Sequence, residues 1–174
     1  MSEQAGRYQR SASGMIGAML VLLAVVGAYV VFRAVNRNEP ESPVRAVDYQ
    51  QTLDYARDQA DFPLLAPASL PDGWRATSVD FVPEPTRWHL GVLTDEDRYV
   101  GLEQSRSSVD KMVETYVDRE AVRGKPVQVE GQTWRTWTDE GGDTALTRED
   151  GEVTTLVVGT AGLDVLVDYV ESLD

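Results

Sequence analysis

Residues Met15 to Phe32, MIGAMLVLLAVVGAYVVF, are eighteen consecutive positions without a charge, Asn, Gln or Pro, and arginines stand on both sides. A helix of that length reaches roughly 27 Å at 1.5 Å per residue, about the hydrocarbon thickness of a bilayer. Within lipid, a single segment satisfies all its backbone N–H and C=O groups only as a helix. The run therefore predicts a transmembrane anchor over 15–35, preceded by a tail over 1–14. Two rival readings exist. A buried core helix fits poorly, because nothing polar interrupts the run before Arg33 and Arg37 end it. A cleaved signal peptide fits better: Arg7 and Arg10 form a short basic region, and Val26-Gly27-Ala28 resembles a small-residue cleavage site. The apolar run continues through Tyr29, Val30, Val31 and Phe32, beyond a typical signal core, which favours an uncleaved anchor.

Orientation follows from layout more than from charge. Arg7, Arg10 and the α-amine stand against Arg33, Arg37 and Arg45, nearly a tie under the positive-inside rule. A short tail, one span and then a folded domain is the layout of a signal anchor, so the domain is expected outside the cytoplasm at the plasma membrane. Gly17, Ala24 and Ala28 could form a small-residue face, but such residues are common in any span, and the oligomeric state stays open.

Charge divides the chain at the same place. Four of the 16 Lys and Arg and one of the 29 Asp and Glu fall within the first 37 residues, leaving 12 basic and 28 acidic residues and a net charge of −16 beyond them. Such a surface repels phosphate backbones, so no nucleic-acid partner is expected. It also holds the domain off anionic headgroups. Acid excess has a plainer use as well, which is solubility. Cysteine is absent, which excludes disulfides, thiolate nucleophiles, thiolate zinc sites and acylation at a cysteine.

After the span, residues 36–46 (NRNEPESPVRA) are charged, hold Pro40 and Pro43, and read as a linker. The remainder, 47–174, is long enough for one domain. Val47 to Ala60 predicts a short helix, and Phe62 to Trp74, with Pro63, Pro67 and Pro71, an extended segment whose Leu64, Leu65, Leu70 and Trp74 plug the core. Trp74–Val82, Trp88–Leu93 and Tyr99–Gln104 predict three strands. Ser107 or Ser108 opens an amphipathic helix, with Ser107 and Asp110 at capping-box spacing and Val109, Met112, Val113, Tyr116 and Val117 on one stripe; Gly124 is its expected stop. Lys125–Val129 and Gln132–Thr138 flank Glu130-Gly131, a two-residue hairpin loop. Thr144–Arg148 and Glu152–Gly159 flank a turn at Glu149-Asp150-Gly151. A closing helix over Ala161–Leu173, capped by Thr160, completes an α+β domain. Its mainly antiparallel sheet buries one face against two amphipathic helices.

No motif supplies chemistry. The one histidine, His89, would need a nucleophile or an orienting carboxylate brought to it by the fold, and there is no Gly-x-Ser-x-Gly elbow. Asp95-Glu96-Asp97 and Asp139 to Asp143 lack the spacing of a hand-type calcium loop. Gly159 to Gly162 lacks the lysine of a phosphate loop. No catalytic residue, metal ligand or cofactor is assigned. Aromatic side chains at strand surfaces can form ligand platforms or partner contacts, which makes Trp74, Trp88, His89 and Trp134 the binding candidates. Trp134 and Trp137, three apart on one strand, point to opposite faces, as do Trp88 and His89.

The span, the segment from Phe62-Pro63-Leu64-Leu65-Ala66-Pro67 to Leu70-Pro71-Asp72-Gly73-Trp74-Arg75, Trp88-His89-Leu90-Gly91 and Tyr99 to Ser105 together resemble the actinobacterial membrane-protein family of domain of unknown function 4245. That resemblance covers nearly the whole chain and implies a single-pass protein with no established activity, hence no site residues to carry over. The element order is also PsbP/Mog1-like by analogy, which does not fix function. The sequence thus points to a membrane-anchored domain, its membrane contact made through Met15 to Phe32, that binds a protein or cell-envelope partner. The alternatives are a small-ligand or lipid carrier with a tryptophan-lined cleft between sheet and helix, and a hydrolase using paired carboxylates.

Overall fold

The computed structural model describes residues 12–35 and 45–174, which form two separate units divided near Pro43. The tail as far as residue 11 and the linker from 36 to 44 lie outside the described residues. The first unit is one helix, α1, Ala12–Val35, of 24 residues. Ile16, Met19, Leu20, Val21, Leu22, Leu23, Val25, Val26 and Tyr29 each leave half or more of their surface open, so the helix is apolar all round rather than on a stripe. Over the residues whose side chains are described, no helix is long and apolar enough to cross a membrane. The backbone is nonetheless helical through the whole of Met15 to Phe32.

The second unit is the α+β domain. It runs α2 (Gln50–Gln59), β1 (Arg75–Pro83), β2 (Thr86–Leu93), β3 (Tyr99–Ser105), α3 (Val109–Tyr116), β4 (Val122–Arg123), β5 (Val127–Val129), β6 (Gln132–Thr138), β7 (Thr144–Asp150), β8 (Val153–Gly159) and α4 (Leu163–Glu171). All pairings are antiparallel, in the order β1-β2-β3-β8-β7-β6-β4, with β5 beside β6. Hairpins build most of it. Glu130 and Gly131 take φ of 50° and 76°, both positive as a type I′ loop requires.

The sheet is covered on both faces rather than one. Leu53 and Ala56 of α2, Leu166 and Val170 of α4, and Phe62 and Leu64 of the extended segment pack with Leu90, Val92, Leu102, Leu146 and Val157. Val109, Met112 and Val113 of α3 pack with Ala145, Leu156 and Val158. Neighbours along β8 thus enter different cores, the period of two putting Val157 on one side and Leu156 and Val158 on the other. Strand β8 is central and buried on both faces.

Four expected boundaries move. Helix α3 is capped by Ser108, whose Oγ accepts from Lys111 N, in place of the Ser107–Asp110 pair. It ends at Tyr116, well before Gly124, because Val122–Arg123 joins the sheet against Trp137 and Thr138. Gly124 serves close approach instead: a Cβ there would stand 2.4 Å from Thr136 Oγ1. The β7–β8 loop is Gly151-Glu152, two residues later than the expected turn, with the glycine at φ 61° in the first loop position. Helix α4 starts from Gly162, not Thr160, whose hydroxyl accepts from Tyr99 N.

Candidate functional site

Two groups of side chains stand out, one on each face of the sheet. On the α3 side, β1, β2 and β3 bring three polar residues into a chain. The ladder sets His89 opposite Glu103 and Ser78 opposite Gly91, one step diagonal to His89. A register shift between Ala76 and Ser78 places the serine, and a bulge commonly re-aims a side chain in this way. Ser78 Oγ lies 2.7 Å from His89 Nε2, and His89 Nδ1 lies 2.5 Å from Glu103 Oε1. A carboxylate only accepts, so Nδ1 carries the proton and Nε2 of the neutral ring accepts from the serine O–H. The Glu103 side chain is 6% exposed and the imidazole 27%. The Glu103 hydrogen bond raises the His89 pKa above the ordinary histidine value, burial opposes it, and the charges of Glu103 and Asp80 add to the rise.

Two glycines make this layer possible. A Cβ on Gly91 would stand 2.3 Å from Ser78 Oγ and 3.2 Å from the Tyr99 hydroxyl; one on Gly101 would stand 2.6 Å from that hydroxyl. The Tyr99 ring therefore lies over both glycines, and burial, then the Glu103 charge, push its phenol up to about 12. Tyr116 of α3 is raised by burial first and by Glu103 next.

On the opposite face, a cleft of about 220 Å³ opens between the β5–β6 hairpin and the end of α4. Leu65, Val129, Trp134, Val170 and Leu173 give it apolar walls, and Glu130, Gln132 and Arg148 its polar ones. The Arg148 guanidinium carbon sits 5.2 Å from the centre of the Trp134 ring, within cation–π range. One Arg148 nitrogen donates to Gln132 Oε1. Its Nε is buried with no hydrogen-bond partner. Among the described residues Arg148 makes no ion pair, whereas Arg57, Arg75, Arg106, Arg119 and Arg135 each do.

The four sequence candidates do not converge. Trp134, 2% exposed, borders the cleft, while Trp137 lies half-buried in the other core, so the two do point to opposite faces. Trp88 is fully buried and donates its Nε1–H to Leu65 O at 3.0 Å, as a core anchor. Trp74 stacks on Tyr169 at 6.2 Å. His89 belongs to the polar chain on the α3 side. Among the described residues, no three His, Asp or Glu gather as a metal site. In the acidic loops Asp97 pairs with Arg75, and Asp139 Oδ1 accepts from Asp143 N at 2.7 Å. Ser78, Glu103 and Arg148 escape the sequence reading. Neither the bulge that aims Ser78 nor the pairing that delivers Glu103 has a local signature. Arg148 had one: it alternates with Leu146, which puts both on the same face.

An N-terminal apolar helix and an α+β domain with an antiparallel sheet and a cleft bordered by Trp134 define the class of this small protein. The chain belongs to the family described as Protein of unknown function (DUF4245), whose model matches residues 7–173. No curated protein matches the sequence.

Proposed function

We propose that this is a single-pass membrane-tethered protein whose acidic domain, held outside the cytoplasm, binds an envelope partner by receiving an apolar group that carries a carboxylate in the Trp134–Arg148 cleft. The observation that carries the binding reading is Arg148: a guanidinium with a buried, unpartnered Nε, set against an aromatic ring at the edge of a small cleft with apolar and polar walls. A buried polar group without a partner costs about 1–3 kcal/mol, and a ligand acceptor would relieve that cost. Apolar side chains with a small number of convergent polar groups are the usual composition of a ligand site. Arginine suits a carboxylate because its planar fork can donate two parallel hydrogen bonds. The tether reading rests on Met15 to Phe32, uncharged throughout, within a 24-residue helix that reaches roughly 36 Å at 1.5 Å per residue.

Titration of the full-length protein in nanodiscs with hexanoate and phenylacetate, followed by tryptophan emission, tests the site. A saturable change that Arg148→Met removes is the expected result, with the domain's circular dichroism unaltered. Flat emission with both carboxylates, or a response that survives Arg148→Met, rejects the cleft as the binding site.

A further inference from the structure

A serine acts as a nucleophile when a base takes its proton, a carboxylate orients that base through its other nitrogen, and a donor meets the oxyanion that forms. On the α3 side of the sheet, Ser78, His89 and Glu103 meet the first two conditions, at 2.7 Å and 2.5 Å, through the correct two nitrogens. The nearly buried carboxylate holds the ring while the imidazole stays partly open to solvent. The third condition falls to Tyr99. Its hydroxyl and Ser78 Oγ share the space above Gly91, which a side chain at that position would fill. Tyrosine hydroxyls are among the donors that stabilise tetrahedral oxyanions, and this one keeps its proton at neutral pH.

We propose that Ser78 is the nucleophile of an esterase site, with His89 as general base and acid, Tyr99 as oxyanion donor and Glu103 as the positioning residue, acting on uncharged carboxylic esters. Ser78 Oγ forms a bond to the ester carbonyl carbon as its proton passes to His89 Nε2. The ester C–O bond then breaks, and the departing alcohol takes that proton, leaving an acyl group on Ser78. Water, losing a proton to His89 Nε2, attacks the acyl carbon; the bond to Oγ breaks, and the proton returns to Ser78. Ester and water thus become acid and alcohol, with no other reactant. An uncharged substrate follows from the surroundings. The charged and titratable groups acting on one another around the chain are Asp80 on β1, Arg87 and His89 on β2, Tyr99 and Glu103 on β3 and Tyr116 of α3, with the Arg135–Glu149 pair further along the same face, in a domain of net charge −16 beyond residue 37.

The inference is independent of the cleft on the other face, and its test is separate. The full-length protein in detergent micelles is treated with a fluorophosphonate and digested for mass spectrometry, and p-nitrophenyl acetate turnover is followed in parallel. The expected adduct is on Ser78. Ser78→Ala should abolish it, and His89→Gln should slow labelling and turnover about 100-fold or more, the range for loss of a general base. Ser107→Ala, in the turn between β3 and α3 and outside the Ser78–His89–Glu103 chain, serves as the control and should leave both unchanged. Glu103→Gln should slow labelling and move its pH midpoint downward, because the main cause of the raised His89 titration is gone; a merely structural glutamate would leave the midpoint in place. No adduct on the folded wild-type protein, an adduct only on other serines, or labelling of Ser78 that His89→Gln does not slow would overturn the proposal.

Discussion

His89 links titration to folding. Its pKa is raised in the folded domain, chiefly by the hydrogen bond to Glu103. The protonated ring therefore prefers the folded state, and its contribution is complete below the unfolded value of about 6.5 and lost as pH rises through the folded value. Melting temperature measured from pH 6 to pH 8.5 should fall more steeply for the wild-type protein than for Glu103→Gln; parallel curves would disprove the linkage. Arg148 leads to the opposite kind of prediction. An unpaired charge held against apolar walls opposes folding, so Arg148→Met should raise the stability of the ligand-free protein by about 1 kcal/mol, even though the same change removes carboxylate binding. A chemical denaturation midpoint lower than wild type would contradict this. At this scale the sequence was legible for Trp88 and Trp134, whose faces follow from strand parity. It was not legible for Ser78 and Glu103, since one shifted register decides whether a serine meets a histidine or solvent.

Elements were easier to read where a turn carries its own chemistry. Glu130-Gly131 stands where the hairpin pattern puts it, because a two-residue loop requires positive φ at both positions. The end of α3 and the start of α4 are not legible locally, because Gly124 and Thr160 look like caps while their local task is to let strands approach and to tie Tyr99 down. The pairing of β3 with β8 had no local cue at all, being a long-range contact that depends on two cores filling at once. Glycines separate these roles experimentally. A Cβ on Gly159 would stand 2.0 Å from the backbone oxygen of Tyr99, so Gly159→Ala must force β3 and β8 apart. Overpacking of that kind costs about 2 kcal/mol or more. Gly131, at φ 76° with open space beside it, tolerates asparagine, and Gly131→Asn should cost less than about 1 kcal/mol. Urea midpoints measure both, and equal costs would mean that the close contact at Gly159 relaxes freely.

For the whole molecule, the decisive question is whether an all-round apolar helix remains attached to an acidic domain. The proposed tether draws on the leucine, valine and isoleucine exposed along α1, which water disfavours, since a helix in water hides its apolar stripe against a core. In lipid the same exposure is favourable, and the uncharged run from Met15 to Phe32 matches the hydrocarbon thickness. Cleavage after Ala28 would instead release a chain beginning at Tyr29, retaining only Tyr29, Val30, Val31 and Phe32 of the run, too few to cross. The two outcomes differ in mass and in partitioning. Membranes washed with alkaline carbonate should keep the full-length protein in the pellet, and protease added to intact spheroplasts should remove the domain while the N-terminal helix stays protected. Recovery in the wash of a species whose intact mass begins at Tyr29 would rule out the tether. It would leave the Trp134–Arg148 cleft and the Ser78–His89–Glu103 chain untouched, because both are built entirely from β1 onward together with Leu65 of the segment before it.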